Sequence, residues 1–283
     1  MTGSWRNLGL LDRLSRAMVL FAIASLVVGC AGPVELNDRF AATQGLSRSL
    51  VRGADFSHVI YAAANGEDSV WHIYIEGDGQ PWQSRTSVAH DPTSPMPLML
   101  RLMQQDAAPR IYLGRPCYQG MAIEAACKPW VWTHGRYSEP VVSSMQAALD
   151  TLIERHAINE IALFGHSGGG ALAMLLAERI PQTTQVVTLA GNLDTEAWTR
   201  KHGYADLAGS LNPADRPELP GRISQFHFRG AEDRNLPFGM YGESINDMSG
   251  DLDMRIDGVG HATGWEAVYC GILSRTGGQC KSL

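Results

Sequence analysis

Ser167 stands in the run Gly165-His166-Ser167-Gly168-Gly169, between an apolar segment that ends at Phe164 and another that begins at Ala171. The spacing is G-x-S-x-G. Small residues two before and two after the serine suit a turn too tight for side chains. If a helix starts directly after it, free N–H groups and the helix dipole favour negative charge there. The chemistry such a serine can do is nucleophilic attack on an acyl group. A hydroxyl is a poor nucleophile at neutral pH, so it needs a base, and the base needs an acid to hold its tautomer and stabilise the cation that forms. No Lys-Ser or Lys-Thr follows the glycines, which excludes a phosphate-binding P-loop.

The elements around the serine are legible as alternating strands and helices. Residues 58–64, 70–79, 110–114, 160–165, 185–191 and 223–230 read as strands, rich in β-branched and aromatic residues and ended by Gly-rich bends. Residues 253–258 read as a last strand. Residues 97–105, 139–157 and 169–180 carry apolar residues near helical spacing, the third stopped by Pro181. This order predicts an α/β fold, a mostly parallel sheet with helices on both faces. Ser167 falls after a buried strand and before a helix, the context that a nucleophile elbow requires.

With that context the chain resembles the α/β-hydrolase family over about residues 55–275. The resemblance implies a serine hydrolase with a triad in the order serine, acid, histidine. His261, in Asp257-Gly258-Val259-Gly260-His261, lies just past the last expected strand and is the best base of nine histidines. His166 is expected to point elsewhere on the turn, and His227 lies inside a strand. For the acid, Asp233 sits in a turn after the strand that ends at Gly230. It resembles the family's G-x-x-D-x-x-V-P turn, with Leu236 in place of Val. Glu232 beside it is expected to face solvent. Asp194 is the alternative acid, since some relatives take it from there; it could instead cap a helix over 195–201.

An oxyanion hole needs two backbone donors. The resemblance assigns them to the amides of Gly168 and Asp78, with Gly79 as the alternative to Asp78. Where many relatives have His-Gly, this chain has Glu76-Gly77. Glu76 is either structural or a charge near the site. Residues 192–222 are a possible small cap. These residues imply a carboxylesterase-like hydrolase working on a small acyl substrate through an acyl-enzyme. A peptidase or acyltransferase on the same site is the alternative, and a binding lipoprotein without catalysis is the other. No motif calls for a cofactor or metal.

The first thirty residues differ from the rest. Arg6, Arg13 and Arg16 precede a short apolar run and Cys30, the pattern of a secretory signal over residues 1–29. Residues 27–30, Val-Val-Gly-Cys, resemble the lipobox of bacterial lipoproteins, with Val27 where Leu is more common. The resemblance implies lipidation of Cys30, a tether over 30–52, a hydrolase domain over 53–283 and a membrane-anchored location in the cell envelope. Ala31 rather than Asp after the cysteine implies the outer membrane, facing the periplasm. Four cysteines remain, and an even number in an exported chain suggests two disulfides. Of three pairings, the local ones are preferred: Cys117–Cys127 and Cys270–Cys280 close equal short loops. No C-x-x-C spacing supports a metal site. With 23 basic and 29 acidic residues the formal charge is -6, so there is no basic footprint for nucleic acid.

Overall fold

A computed structural model describes residues 31–64, 70–241 and 252–281. Contacts divide the chain into Met1–Gly32 and Pro33–Leu283, and the second unit is the one described below. The expected signal segment and Cys30 lie outside the described residues. In chain order the elements are α1 (Pro33–Thr43), β1 (Arg48–Arg52), β2 (Ser57–Ala63), β3 (Val70–Ile75), α2 (Leu98–Leu102), β4 (Arg110–Leu113), α3 (Pro129–Trp132) and α4 (Glu139–His156). Then come β5 (Glu160–His166), α5 (Gly168–Ala177), β6 (Thr183–Leu189), α6 (Thr195–His202), β7 (Ser224–Gly230), β8 (Leu252–Ile256) and α7 (Trp265–Arg275).

Among the described residues the strands form one eight-stranded sheet in the order β1-β2-β4-β3-β5-β6-β7-β8. The pairs β1–β2 and β2–β4 are antiparallel and all the others parallel. Side chains alternate between two cores. Ile73 and Ile75 of β3, with Ile161 and Leu163 of β5, face one side. Tyr74, Ala162 and Phe164 face the other. The central strands are therefore apolar on both faces, which is why they read as unbroken runs. α4 and α5 cover the first face through Val142, Met145, Leu149 and Leu172. α1, α2 and α7 cover the second through Ala41, Met99, Trp265 and Tyr269. All ten residues of α5 are buried, as expected of a helix apolar all round.

Residues 31–52, expected as a tether and lead-in, instead supply α1 and the edge strand β1. The attachment of α1 is largely polar, which periodicity does not report: Asn37 is buried and its Nδ2 donates to the Ser94 carbonyl at 3.0 Å, and the Tyr61 hydroxyl donates to Asp38. β1 is short and flanked by arginines, and of its five residues only Val51 is buried, a common way to blunt an exposed sheet edge. The described part of the last expected strand begins one residue early, at Leu252. α7, absent from the sequence expectations, buries Trp265, Tyr269, Ile272 and Leu273 at helical spacing.

Both local disulfides form, Cys117–Cys127 and Cys270–Cys280. Residues 192–222, expected as a possible small cap, hold α6 and a 3₁₀ turn, Pro213–Asp215. The Leu211 amide pins this segment to the body by donating to the Tyr137 carbonyl at 3.0 Å. Among the described residues, no helix is long and apolar enough to cross a membrane, and no three His, Cys, Asp or Glu side chains are grouped to hold a metal.

Candidate active site

In a parallel sheet the loops after the strands gather at one edge. The loops after β3, β5, β7 and β8 carry Asp78, Ser167, Asp233 and His261. Ser167 joins β5 to α5 with φ 52° and ψ -120°, a backbone region that costs a non-glycine residue about 1–3 kcal/mol. Three hydrogen bonds hold the strain: Ser167 N donates to Leu189 O at 3.0 Å, and the amides of Gly170 and Asn192 donate to Ser167 O at 2.9 Å each. The glycines are required by close approach. A Cβ on Gly165 would lie 2.2 Å from the Gly169 carbonyl oxygen, and one on Gly169 would lie 2.3 Å from that of Ile75.

The three expected residues meet. Ser167 Oγ is 3.0 Å from His261 Nε2, and His261 Nδ1 is 2.8 Å from Asp233 Oδ2. Asp233 is 4% exposed. Its other oxygen accepts the amides of Asn235 and Leu236 at 2.8 Å each. Burial pushes the Asp233 carboxyl up, but the bond from His261 and these amides outweigh it and hold the group below its ordinary value. A carboxylate on Nδ1 leaves Nε2 free to accept the serine proton. The acid and base loops are tied to each other, since Glu232 N donates to Val259 O at 2.9 Å. Asp194 does other work: it is the N-cap of α6, accepting from Glu196 N at 3.1 Å and Ala197 N at 2.9 Å.

Two neighbours complete the histidine's setting, and neither was assigned from the sequence. His166 is directed at the backbone of the base. Its Nε2 donates to the His261 carbonyl at 2.7 Å, which also accepts Trp265 Nε1 at 3.0 Å, so the backbone of the base is clamped from two sides. Burial, followed by the neighbouring His261, pushes the His166 imidazole down to about 3, and it stays neutral in its role as donor. Asn235 Nδ2 lies 3.1 Å from His261 Nε2. Trp198 Nε1 of α6, which can only donate, donates to Asn235 Oδ1 at 3.2 Å and so sets which way the amide faces. His202 Nε2 donates to the Asn235 carbonyl at 2.8 Å. Asn235 lies two residues beyond Asp233 in the same turn, and that proximity was the one available signal.

The loop after β3 lies against the elbow: a Cβ on Gly77 would be 3.3 Å from Ser167 Cβ. Glu76 is buried and accepts Met99 N at 2.9 Å and Gly77 N at 3.3 Å. Burial pushes its carboxyl up to about 7, against those amide bonds. Its nearer oxygen is 3.9 Å from His166 Nδ1. Among the described residues, the Asp78 N–H has no hydrogen-bond acceptor.

Comparison with known proteins bears on the fold and on the stretch that carries the serine. The model of the lipase (class 3) family matches residues 119–192, the stretch that includes the serine turn. No curated protein matches the chain. Among solved structures it is similar to a membrane phospholipase A described as a bacterial virulence factor, at 14% identity over 94% of this chain and 98% of that one, TM-score 0.59. It is similar to a Pyrococcus furiosus esterase at 12% identity over 89% of this chain and 93% of the other, TM-score 0.57. A Pyrococcus horikoshii acylaminoacyl peptidase shares 11% identity over 84% of this chain but 42% of its own, TM-score 0.54. Likeness at these identities establishes the fold. The chain has the α/β-hydrolase fold, and the family match falls on the stretch that carries the serine turn.

Proposed function

We propose that the protein hydrolyses carboxylic esters, with Ser167 as nucleophile, His261 as base and Asp233 as the acid that orients it. The observation that carries this is the continuous relay from Ser167 Oγ through His261 to Asp233, at 3.0 and 2.8 Å, on a strained elbow. His261 Nε2 takes the serine proton as Oγ attacks the ester carbonyl. The amides of Gly168 and Asp78 then receive the oxyanion. As the tetrahedral species collapses, His261 returns the proton to the departing alcohol and leaves an acyl-serine. Water, deprotonated by the same histidine, attacks the acyl-serine and frees the acid and the serine. An ester is favoured over an amide because the family match is to lipases, and two of the three relatives above are named as an esterase and a phospholipase.

The test is hydrolysis of p-nitrophenyl esters from acetate to palmitate by wild type beside Ser167→Ala. Turnover in the wild type that is lost in the variant, with an optimum in chain length, is the expected result. No ester turnover in a protein whose Ser167 still labels with a fluorophosphonate would overturn the ester reading while leaving the nucleophile intact.

A further inference from the structure

The side chain of Asp78 is not idle. A Cβ placed on Gly168 would lie 2.1 Å from Asp78 Oδ1 and 2.4 Å from the Tyr137 hydroxyl oxygen. The carboxylate therefore packs directly on the residue whose amide would receive the oxyanion. A bare negative charge there would oppose the charge that develops in the reaction. It is not bare: Arg115 Nη1 donates to Oδ1 at 2.6 Å and Arg136 Nη1 donates to Oδ2 at 2.8 Å. The Tyr137 hydroxyl lies within 2.9 Å of both oxygens.

The arginines are themselves fixed. Their side chains are 2% and 7% exposed. Arg115 Nη2 donates to the Arg136 carbonyl at 3.1 Å, and Arg136 Nε donates to the Thr133 carbonyl at 2.5 Å. The Arg115 guanidinium lies 4.9 Å from the ring centre of Tyr118, whose hydroxyl donates to the Asp78 backbone carbonyl at 2.9 Å. The loop is thus held at both its carboxylate and its carbonyl. Two guanidiniums against one carboxylate leave the cluster with a net charge of +1, buried where screening by water is weak. Buried charge clusters are seldom the most stable filling for such a space, so stability alone is a poor account of this one.

Resting on the serine-hydrolase reading, we propose that Arg115 and Arg136 are positioning residues of the oxyanion site. They hold the Asp78 carboxylate against Gly168, fix the 77–79 backbone so that the Asp78 amide faces the reacting oxygen, and leave a net positive charge behind it. The cluster acts when the oxyanion forms, and substrate binding before that is little affected. Its effect therefore falls on kcat and not on KM.

The test compares wild type, Arg136→Gln and Arg136→Lys with a p-nitrophenyl ester. Thermal melting confirms that each is folded. Arg136→Gln leaves Asp78 still paired with Arg115, so no buried charge is orphaned, and the cluster becomes neutral. Removing a direct oxyanion donor costs about 10²–10³-fold in kcat, and a second layer acting through the loop should cost about 10-fold or more at unchanged KM. Arg136→Lys, which keeps the charge on the carboxylate, should recover part of the loss. Wild-type kcat in folded Arg136→Gln, or a loss carried by KM, would overturn the proposal. So would an Arg136→Lys variant no better than Arg136→Gln. Absence of Ser167-dependent turnover in the wild type itself is a different result, and it would bring down the serine-hydrolase reading on which the proposal stands.

Discussion

Two aspartates compete for one role at the scale of single residues, and their hydrogen bonds separate them. Asp233 presents one oxygen to His261 and has the other occupied by amides of its own turn. Asp194 spends its carboxylate on the first turn of α6. Asp233→Asn should therefore lower kcat by about 10⁴-fold, because an amide no longer enforces the tautomer that leaves Nε2 as acceptor. Asp194→Asn keeps a capping oxygen and should leave kcat near wild type. Steady-state kinetics of the two variants side by side decide the matter, and the reverse pattern would move the acid to Asp194. Asn235 stands between these scales: it touches the ring nitrogen of the base, and α6 holds it through Trp198 and His202.

At the scale of elements, the two disulfides look alike in sequence, each joining cysteines ten residues apart, yet they brace different things. Cys117–Cys127 brackets Tyr118 and Gln119, which bond to the Asp78 carbonyl and to Thr93. Cys270–Cys280 joins α7 to the C-terminal segment, where Lys281 N donates to the Gln105 carbonyl at 2.8 Å. Each closes a short loop and should contribute about 2–4 kcal/mol of stability. Replacing either pair by serines should lower the melting temperature. Only the Cys117/Cys127 pair should also lower kcat, because it alone adjoins the loop after β3. Equal effects of the two pairs on kcat at a temperature where both variants are folded would contradict this.

Across the whole molecule, buried titratable groups set the response to acid. Burial is the first cause that lowers three histidines below 6.5: His58 to about 4, His166 to about 3 and His227 to about 4. Each stays neutral when folded and gains a proton when unfolded, so its share of stability is intact above about pH 6.5 and is lost as pH falls toward 4. Glu76 works the other way. Raised from 4.5 to about 7, it keeps a proton in the folded state that the unfolded chain releases, so its share of stability is lost as pH rises from about 4.5 to 7. Three groups against one predict net destabilisation on acidification from about pH 6.5 to 4.5. Denaturant midpoints measured across that range should fall with pH, and Glu76→Gln should fall more steeply than wild type. A flat profile in the wild type would sink the argument.

The sequence by itself determined the features that depend on local pattern. Unbroken apolar strands at regular spacing imply a sheet buried on both faces. Glycines flanking Ser167 imply a turn where backbone meets backbone, and the short spacing of the cysteines favours local bridges. Positions of Ser167, Asp233 and His261 after β5, β7 and β8 were also legible, because parallel strands deliver their loops to one edge. Where contacts join distant segments, only the tertiary structure decided. α1 escaped because it docks through Asn37 and Asp38 rather than through an apolar stripe. Asp194 and Asp233 both follow strands, and only the hydrogen bonds of the folded chain tell the helix cap from the partner of His261. Asp78 was expected from the sequence only as a backbone donor, whereas its carboxylate meets Arg115 and Arg136 from 37 and 58 residues away. Such a pairing has no period or spacing to read, because charge complementarity between remote loops exists only once the sheet has brought those loops together.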